Sequence, residues 1–202
     1  MDTVQFSQIL SSGLKKLIAA EPLLTRFDTL VGDGDCGVGL KRGAQAVQAF
    51  IDAGRVTSDP VSTISRLAKI VEETMDGTSG ALFSIYLNAL VKALRDNSNG
   101  KNQADIDTWS KAAITAMRDM GRYTPAQPGD RTMMDALYPF LETLAEKKDL
   151  RAAAVRARIG AESTKGMAPK LGRTVYIDHV GDIPDPGAIG IAVLAEGLAG
   201  IE

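Results

Sequence analysis

The 202-residue sequence predicts an all-α fold, an antiparallel up-and-down bundle of eight helices. Three observations predict it. Apolar residues recur with a period close to 3.6 along nearly the whole chain, and no convincing run alternates with period 2. Apolar residues make up 45% of the chain and aromatics only 5%, so the core has to be built from Leu, Ile, Val, Ala and Met. That mixture suits packed helices better than a sandwich of sheets. The connections are short, which makes successive helices antiparallel neighbours.

The first helix is expected over 3–21 and leads into the turn VGDGDCG. The second, 37–53, ends in the polar turn DAGRVTSDP, and the third, 60–75, ends at MDGTSG. The fourth, 79–95, aligns Leu82, Ile85, Tyr86, Ala89, Leu90, Ala93 and Leu94 on one stripe before the polar turn DNSNGKNQ. The fifth, 104–121, gathers Ile106, Trp109, Ala113, Ala116, Met117 and Met120, and PAQPGDRTM follows it. The sixth, 131–147, and seventh, 149–165, are parted by a short break at 148–149. The turn IPDPGA precedes the eighth, 186–200, which is apolar almost all round and should be the most buried. No repeat or linker divides the chain, so one domain over 1–202 is expected.

Composition excludes several classes. The formal net charge is −2 with acids and bases interspersed, which offers no footprint for nucleic acid or an anionic membrane. Cys36 is the only cysteine, so no internal disulfide forms, and a reducing compartment fits. The start, MDTVQFSQIL, lacks a basic segment ahead of an apolar run, so no signal peptide is expected. The most apolar stretch, Ala188 to Ala199, is interrupted by Gly190, Glu196 and Gly197 and is too short to span a bilayer. A cytoplasmic protein is the expectation.

The connections sort by parity. Those after the second, fourth and sixth helices are ordinary polar turns. Those after the first, third, fifth and seventh are rich in Gly, Asp and Thr, and each opens directly into a helix. Alternate connections of an up-and-down bundle lie at one end, so every unusual loop should gather there. Helix N-termini carry unpaired N–H groups and partial positive charge, which suits an anion and a phosphate above all.

Asp33 and Asp35 lie in the first of those loops and Asp28 closes the preceding helix about one turn earlier; with no Lys or Arg between Asp28 and Asp35, the three carboxylates repel one another unless a cation sits among them. Hard oxygen ligands suit magnesium. As turn and cap residues, Asp33 and Asp35 also have a purely structural reading. Gly77-Thr78-Ser79-Gly80 lets a ligand approach backbone closely, or is a plain helix entry. Gly129-Asp130-Arg131-Thr132-Met133 offers a cap and a cation for phosphate, and Asp185-Pro186-Gly187-Ala188 a cap followed by proline at the first helical position. Cys36 sits at a predicted helix N-terminus, which lowers a thiol pKa, but without a helper His or Cys it reads as loop packing. His179, the only histidine, reads as solvated or structural. Lys41 and Arg42 could face phosphate or solvent. Walker A is absent: the one Gly-Lys pair, Gly100-Lys101, is followed by Asn102.

Taken in order and spacing, Gly32-Asp33-Gly34-Asp35-Cys36-Gly37, Gly77-Thr78-Ser79-Gly80, Gly129 to Met133 and Asp185 to Ala188 resemble the L domain of dihydroxyacetone kinases over essentially the whole chain. The resemblance implies an eight-helix antiparallel barrel-like bundle with ATP or ADP capping one end. It implies that Asp28, Asp33 and Asp35 hold two Mg2+ ions bridging the phosphates, with Cys36, Gly37, Val38, Gly39, Thr78 and Ser79 near them. It also implies that Gly121, Arg131, Thr132, Met133, Arg173, Asp185, Pro186 and Gly187 surround the rest of the nucleotide. The implied partner is a separate K domain, which holds a small triose on a histidine; the chain without it is expected to be an inactive kinase component. The Asp-Gly-Asp-Cys-Gly form followed by Lys41-Arg42-Gly43 looks like ATP-using members. An ADP-holding subunit recharged by a phosphotransferase system, or a non-catalytic nucleotide-binding regulator, are the other readings. Gly172-Arg173-Thr174-Val175-Tyr176 departs from the Gly-Arg-Ala-Ser-Tyr frequent in the family, as does Asp178-His179, where an Arg-Ser pair is frequent. Met1 opens the domain directly, which fits a separate subunit or an excised domain.

Overall fold

A computed structural model describes residues 2–97, 105–177 and 179–202. Among them are nine α-helices and no strand: α1 (Thr3–Ala19), α2 (Glu21–Val31), α3 (Cys36–Asp52), α4 (Pro60–Thr74), α5 (Gly77–Asn97), α6 (Ile106–Met120), α7 (Met134–Lys147), α8 (Leu150–Glu162) and α9 (Pro186–Leu198). A 3-10 turn, Arg173–Tyr176, lies between the last two. The all-α expectation holds. The polar turn between α5 and α6, and the Gly100-Lys101 pair within it, fall in 98–104 and lie outside the described residues, as does Asp178.

The helix count differs by one. The first predicted helix stops at Ala19, and α2, which the periodicity reading missed, carries the chain on to Val31. Pro22 at the start of α2 is the cause, because it donates no hydrogen bond and crowds the preceding turn. Ala20 remains helical in φ and ψ and its N–H still reaches the carbonyls of Lys16 and Leu17, so this is a break rather than a reversal of path. The order of loops at the two ends is therefore unchanged. The sixth predicted helix starts three residues late, at Met134, because Arg131 has a left-handed φ of 62° that cannot continue a helix. The break at 148–149 is present: Lys148 takes a left-handed φ of 55°, and Asp149 caps α8 by accepting from the N–H groups of Arg151 and Ala152.

Neighbouring helices close a ring in the order α1, α3, α4, α5, α6, α7, α8, α9 and back to α1, with α2 packed on α3 and α9. This is the barrel-like arrangement. As expected, α9 is buried nearly all round, including Ile189, Ile191 and Val193. Small residues allow its close approach to α1. A Cβ on Gly197 would stand 2.7 Å from Gly13 Cα, and one on Gly13 would stand 2.9 Å from Leu198. At the other end of that contact Leu17 lies beside Gly190, so α1 and α9 run antiparallel. Leu17, Leu40, Val47, Leu137 and Ile191 are among the residues lining an apolar interior cavity of about 280 Å3. Among the described residues no helix is long and apolar enough to cross a membrane.

Candidate functional site

The turn after α2 is shaped by three glycines. Gly34 takes a φ of 81°, a conformation side chains resist. A Cβ on Gly32 would sit 2.2 Å from Asp28 Oδ1, so glycine there is what lets the Asp28 carboxylate lie against the backbone. Gly37 is packed onto α2, where a Cβ would meet Thr25 N at 2.6 Å and Glu21 O at 2.7 Å. The buried Asp28 accepts the Cys36 N–H on Oδ2 at 2.9 Å, satisfying a free donor at the start of α3. Asp35, the residue in the cap position, makes no side-chain cap bond. One carboxylate oxygen from each of Asp28, Asp33 and Asp35 falls within 4.8 Å of the others.

That packing shows in the electrostatics. Asp35 is held above the ordinary carboxylate range, first by partial burial and then by the charges of Asp33 and Asp28, against a smaller pull from Arg173. Arg173 Nε pairs with Asp33 Oδ2 at 2.9 Å. The donor set is three acceptor-only carboxylates brought together at an open cavity, which fits a hard divalent cation such as Mg2+. Cys36, by contrast, has its thiol pushed up, by burial and then by Asp28, Asp185 and Asp35. The N-terminal position of α3 does not activate it, and it remains a neutral thiol packed near Ser79.

The other loops converge on the same place. Asp135 in α7 accepts Gly129 N–H at 2.6 Å and Thr132 N–H at 2.8 Å, so this carboxylate, and not Asp130, pins the 129–133 loop. Asp130 instead pairs with Lys170 at 2.7 Å. Arg131 is only 2% exposed, and its Nη2 donates to the Ile183 carbonyl at 2.9 Å, while Nε and Nη1 have no protein acceptor. It ties two loops together from beneath instead of reaching out as a surface finger. Asp185 caps α9 through the Ala188 N–H at 2.7 Å and donates its own N–H to Thr164 Oγ1 at 2.8 Å. Burial pushes its carboxyl up to about 6, although the Ala188 N–H and the Arg131 charge both favour the ionised form.

A single cavity of about 550 Å3 results. Asp28, Asp33, Asp35, Cys36, Val38 and Gly39 line it from the first special loop, Thr78 and Ser79 from the second, and Arg131, Thr132 and Met133 from the third. Arg173, Asp185, Pro186 and Gly187 complete it from the fourth. Four helices, α3, α5, α7 and α9, begin at its edge. Gly37 and Gly121 are not among the lining residues: Gly37 faces α2, and Gly121 ends α6 near Tyr138 Oη. Sequence reasoning did not single out the wall formed by Thr124, Pro125 and Ala126; Arg42, which it left between phosphate and solvent, lines the cavity and pairs with Asp76. The proline-rich run 125–128 was the available signal for the wall. Lys41 turns away to Glu21 at 3.0 Å, and His179 is exposed. A separate groove of about 680 Å3 along α4, α5 and α6 shares Met75 and Gly77 with this cavity but contains none of the three clustered carboxylates.

Fold and site together define a closed ring of helices whose one end presents clustered carboxylates beside several helix N-termini. Residues 30–200 match the family model described as the DAK2 domain, and the chain belongs to that family. It is 41% identical over 202 residues to dihydroxyacetone kinase 2 of Saccharomyces cerevisiae, covering 96% of this chain and 34% of that protein. It is 39% identical over 209 residues to a dihydroxyacetone kinase of Komagataella pastoris, covering 98% and 34%. A triokinase/FMN cyclase of Homo sapiens is 33% identical over 191 residues, covering 90% and 32%. The crystal structure of the dihydroxyacetone kinase from C. freundii in complex with AMP-PNP and Mg2+ superposes with a TM-score of 0.81 at 28% identity, covering 99% of this chain and 34% of that one. The chain thus spans about a third of the length of the relatives it matches.

Proposed function

We propose that this chain, as one nucleotide-binding domain over 1–202, is the phosphoryl-donor component of a dihydroxyacetone-type kinase and binds ATP or ADP with Mg2+. The observation that carries the reading is the convergence of four helix-opening loops on one cavity that also holds three carboxylates within 4.8 Å. The relatives named dihydroxyacetone kinases, and the C. freundii enzyme with AMP-PNP and Mg2+, support it. Asp28, Asp33 and Asp35 are the residues that hold the metal, taken as two ions. Bound Mg2+ supplies charge neutralisation across the phosphates. The N–H groups of Gly37 and Val38 in the first turn of α3, together with the Thr78-Ser79 entry of α5, provide N–H and hydroxyl donors for phosphate oxygens, the Cys36 and Gly39 N–H groups being taken by Asp28 and by the Asp35 carbonyl. Thr132, Met133 and the Asp185-Pro186-Gly187 turn wall the base and sugar side, with Arg131 holding their loops in place and Arg173 at the phosphate side. Gly121 supports that wall from the end of α6.

The acceptor comes from a partner. All the chemistry-bearing loops serve one cavity, and a small neutral triose gains too little from an open surface to be oriented there. A K domain covering this end supplies that orientation and excludes water. Exposed Leu30, Val38, Tyr123, Val175 and Tyr176 lie in or next to the loops that line the cavity and offer apolar contact area for it. Two measurements test the reading. Mg2+ and ADP together should raise the melting temperature, and more than either alone. With Mg-ATP and dihydroxyacetone, turnover should require an added K domain; turnover by the chain alone at the rate of the pair would refute the division of labour.

A further inference from the structure

Arg173 stands on a segment that little else holds. The 3-10 turn Arg173–Tyr176 contains no buried residue, and Tyr176 is 85% exposed. The residue before it, Gly172, has a φ of 75° and a ψ of −169°, a combination nearly reserved for glycine, so the backbone can pivot there. The ion pair that reaches from this turn to the bundle is Arg173 Nε to Asp33 Oδ2 at 2.9 Å. The other cations around the cavity are engaged elsewhere. Lys41 pairs with Glu21, Arg42 with Asp76, and Lys170 with Asp130, while Arg131 donates to the Ile183 carbonyl. Among the described residues, Arg173 is therefore the cation paired directly with the carboxylate cluster.

We propose that Arg173 is the built-in counter-ion of the Asp28-Asp33-Asp35 cluster: it occupies Asp33 in the free protein and releases it when the cluster takes up a divalent cation. This rests on reading the cluster as the cation site. The argument is one of competition. The guanidinium cancels part of the charge that would draw a cation in, and two cations on one carboxylate repel each other. Three carboxylates within 4.8 Å would otherwise repel one another in the free protein, so one mobile arginine relieves an unloaded site. Once released, Arg173 swings about Gly172 and is available to an anion that arrives with the cation. Cation and phosphate ligand then strengthen each other's binding by the same factor, because each removes a cost the other would meet.

The test measures Mn2+ alone, by loss of the free-ion electron paramagnetic resonance signal, on the whole chain without nucleotide. An exposed ion pair contributes about 0.2–1 kcal/mol, so Arg173→Met should bind Mn2+ about 1.4- to fivefold more tightly than the unsubstituted protein. Arg173→Lys, which keeps the charge, should stay near the unsubstituted protein, and Asp33→Asn should bind poorly. Adding saturating ADP should tighten Mn2+ binding less in Arg173→Met than in the unsubstituted chain. Arg173→Met binding Mn2+ alone equally or more weakly, while the unsubstituted chain takes up Mn2+ and ADP together, overturns the counter-ion role and leaves the proposed function standing. No Mn2+ uptake by the unsubstituted chain, with or without ADP, overturns both.

Discussion

Asp35→Asn should change stability in opposite directions with and without ligand. The side chain is exposed, caps no helix, and carries a charge disfavoured by partial burial and by Asp33 and Asp28. Its oxygen lies within 4.8 Å of theirs. At such a separation two unit charges in a water-like medium repel by about 1 kcal/mol. Two such pairs are relieved and Arg173 already offsets part, so the metal-free variant should be about 1 kcal/mol more stable, a rise of about 2–4 °C in Tm for a chain this long. Saturating Mg2+ and ADP at about a hundred times Kd should stabilise the unsubstituted protein by about 2.7 kcal/mol, and the variant should lose most of that gain. Scanning calorimetry at pH 7, with and without Mg2+ and ADP, reads both numbers. A variant that melts lower without ligand yet keeps the full ligand shift would show that Asp35 is a structural turn residue, and would refute the reasoning.

Gly160→Ala should destabilise the chain by about 1–3 kcal/mol in urea unfolding, despite the better helix propensity of alanine, because the new Cβ would lie 2.0 Å from the Asp135 carbonyl oxygen. That carbonyl is freed from its own helix ladder by Pro139, and α8 closes over it. Asp185 has a folded-state pKa of about 6 against an ordinary 3.8, so between these values the folded state binds more protons than the unfolded one. Its contribution to stability therefore falls as pH rises from about 4 to 6. The difference between Asp185→Asn and the unsubstituted protein, measured by urea unfolding across that range, should move in favour of the variant as pH increases, since Asn can still cap α9.

Helix existence was legible because the 3.6-residue period is nearly unbroken, and the loops could be assigned to ends because antiparallel packing makes parity meaningful. Three things were hidden. The break at Ala20 changes neither the period nor the polarity of the sequence, and only Pro22 marks it. Which carboxylate pins a loop depends on folding back: Asp135 lies inside α7, downstream of the Gly129-Asp130 pair that looked like the cap. Glycines of one motif also divide by what surrounds them. Gly39 has open space where a Cβ would go, whereas Gly37 has α2 there, and spacing alone cannot distinguish a ligand approach from helix packing.

The antiparallel contact between α1 and α9 decides how this molecule can be tethered. α9 begins at the cavity with Asp185 and runs 13 residues, about 20 Å, away from it. α1 comes in from that distant side, and Lys16 Nζ holds the Ile201 carbonyl at 2.8 Å. The start of α1 at Thr3 and the end of α9 at Leu198 therefore lie on the face remote from the carboxylates. A tag, a sensor surface or a fused polypeptide joined on that face leaves the cavity turned toward solvent.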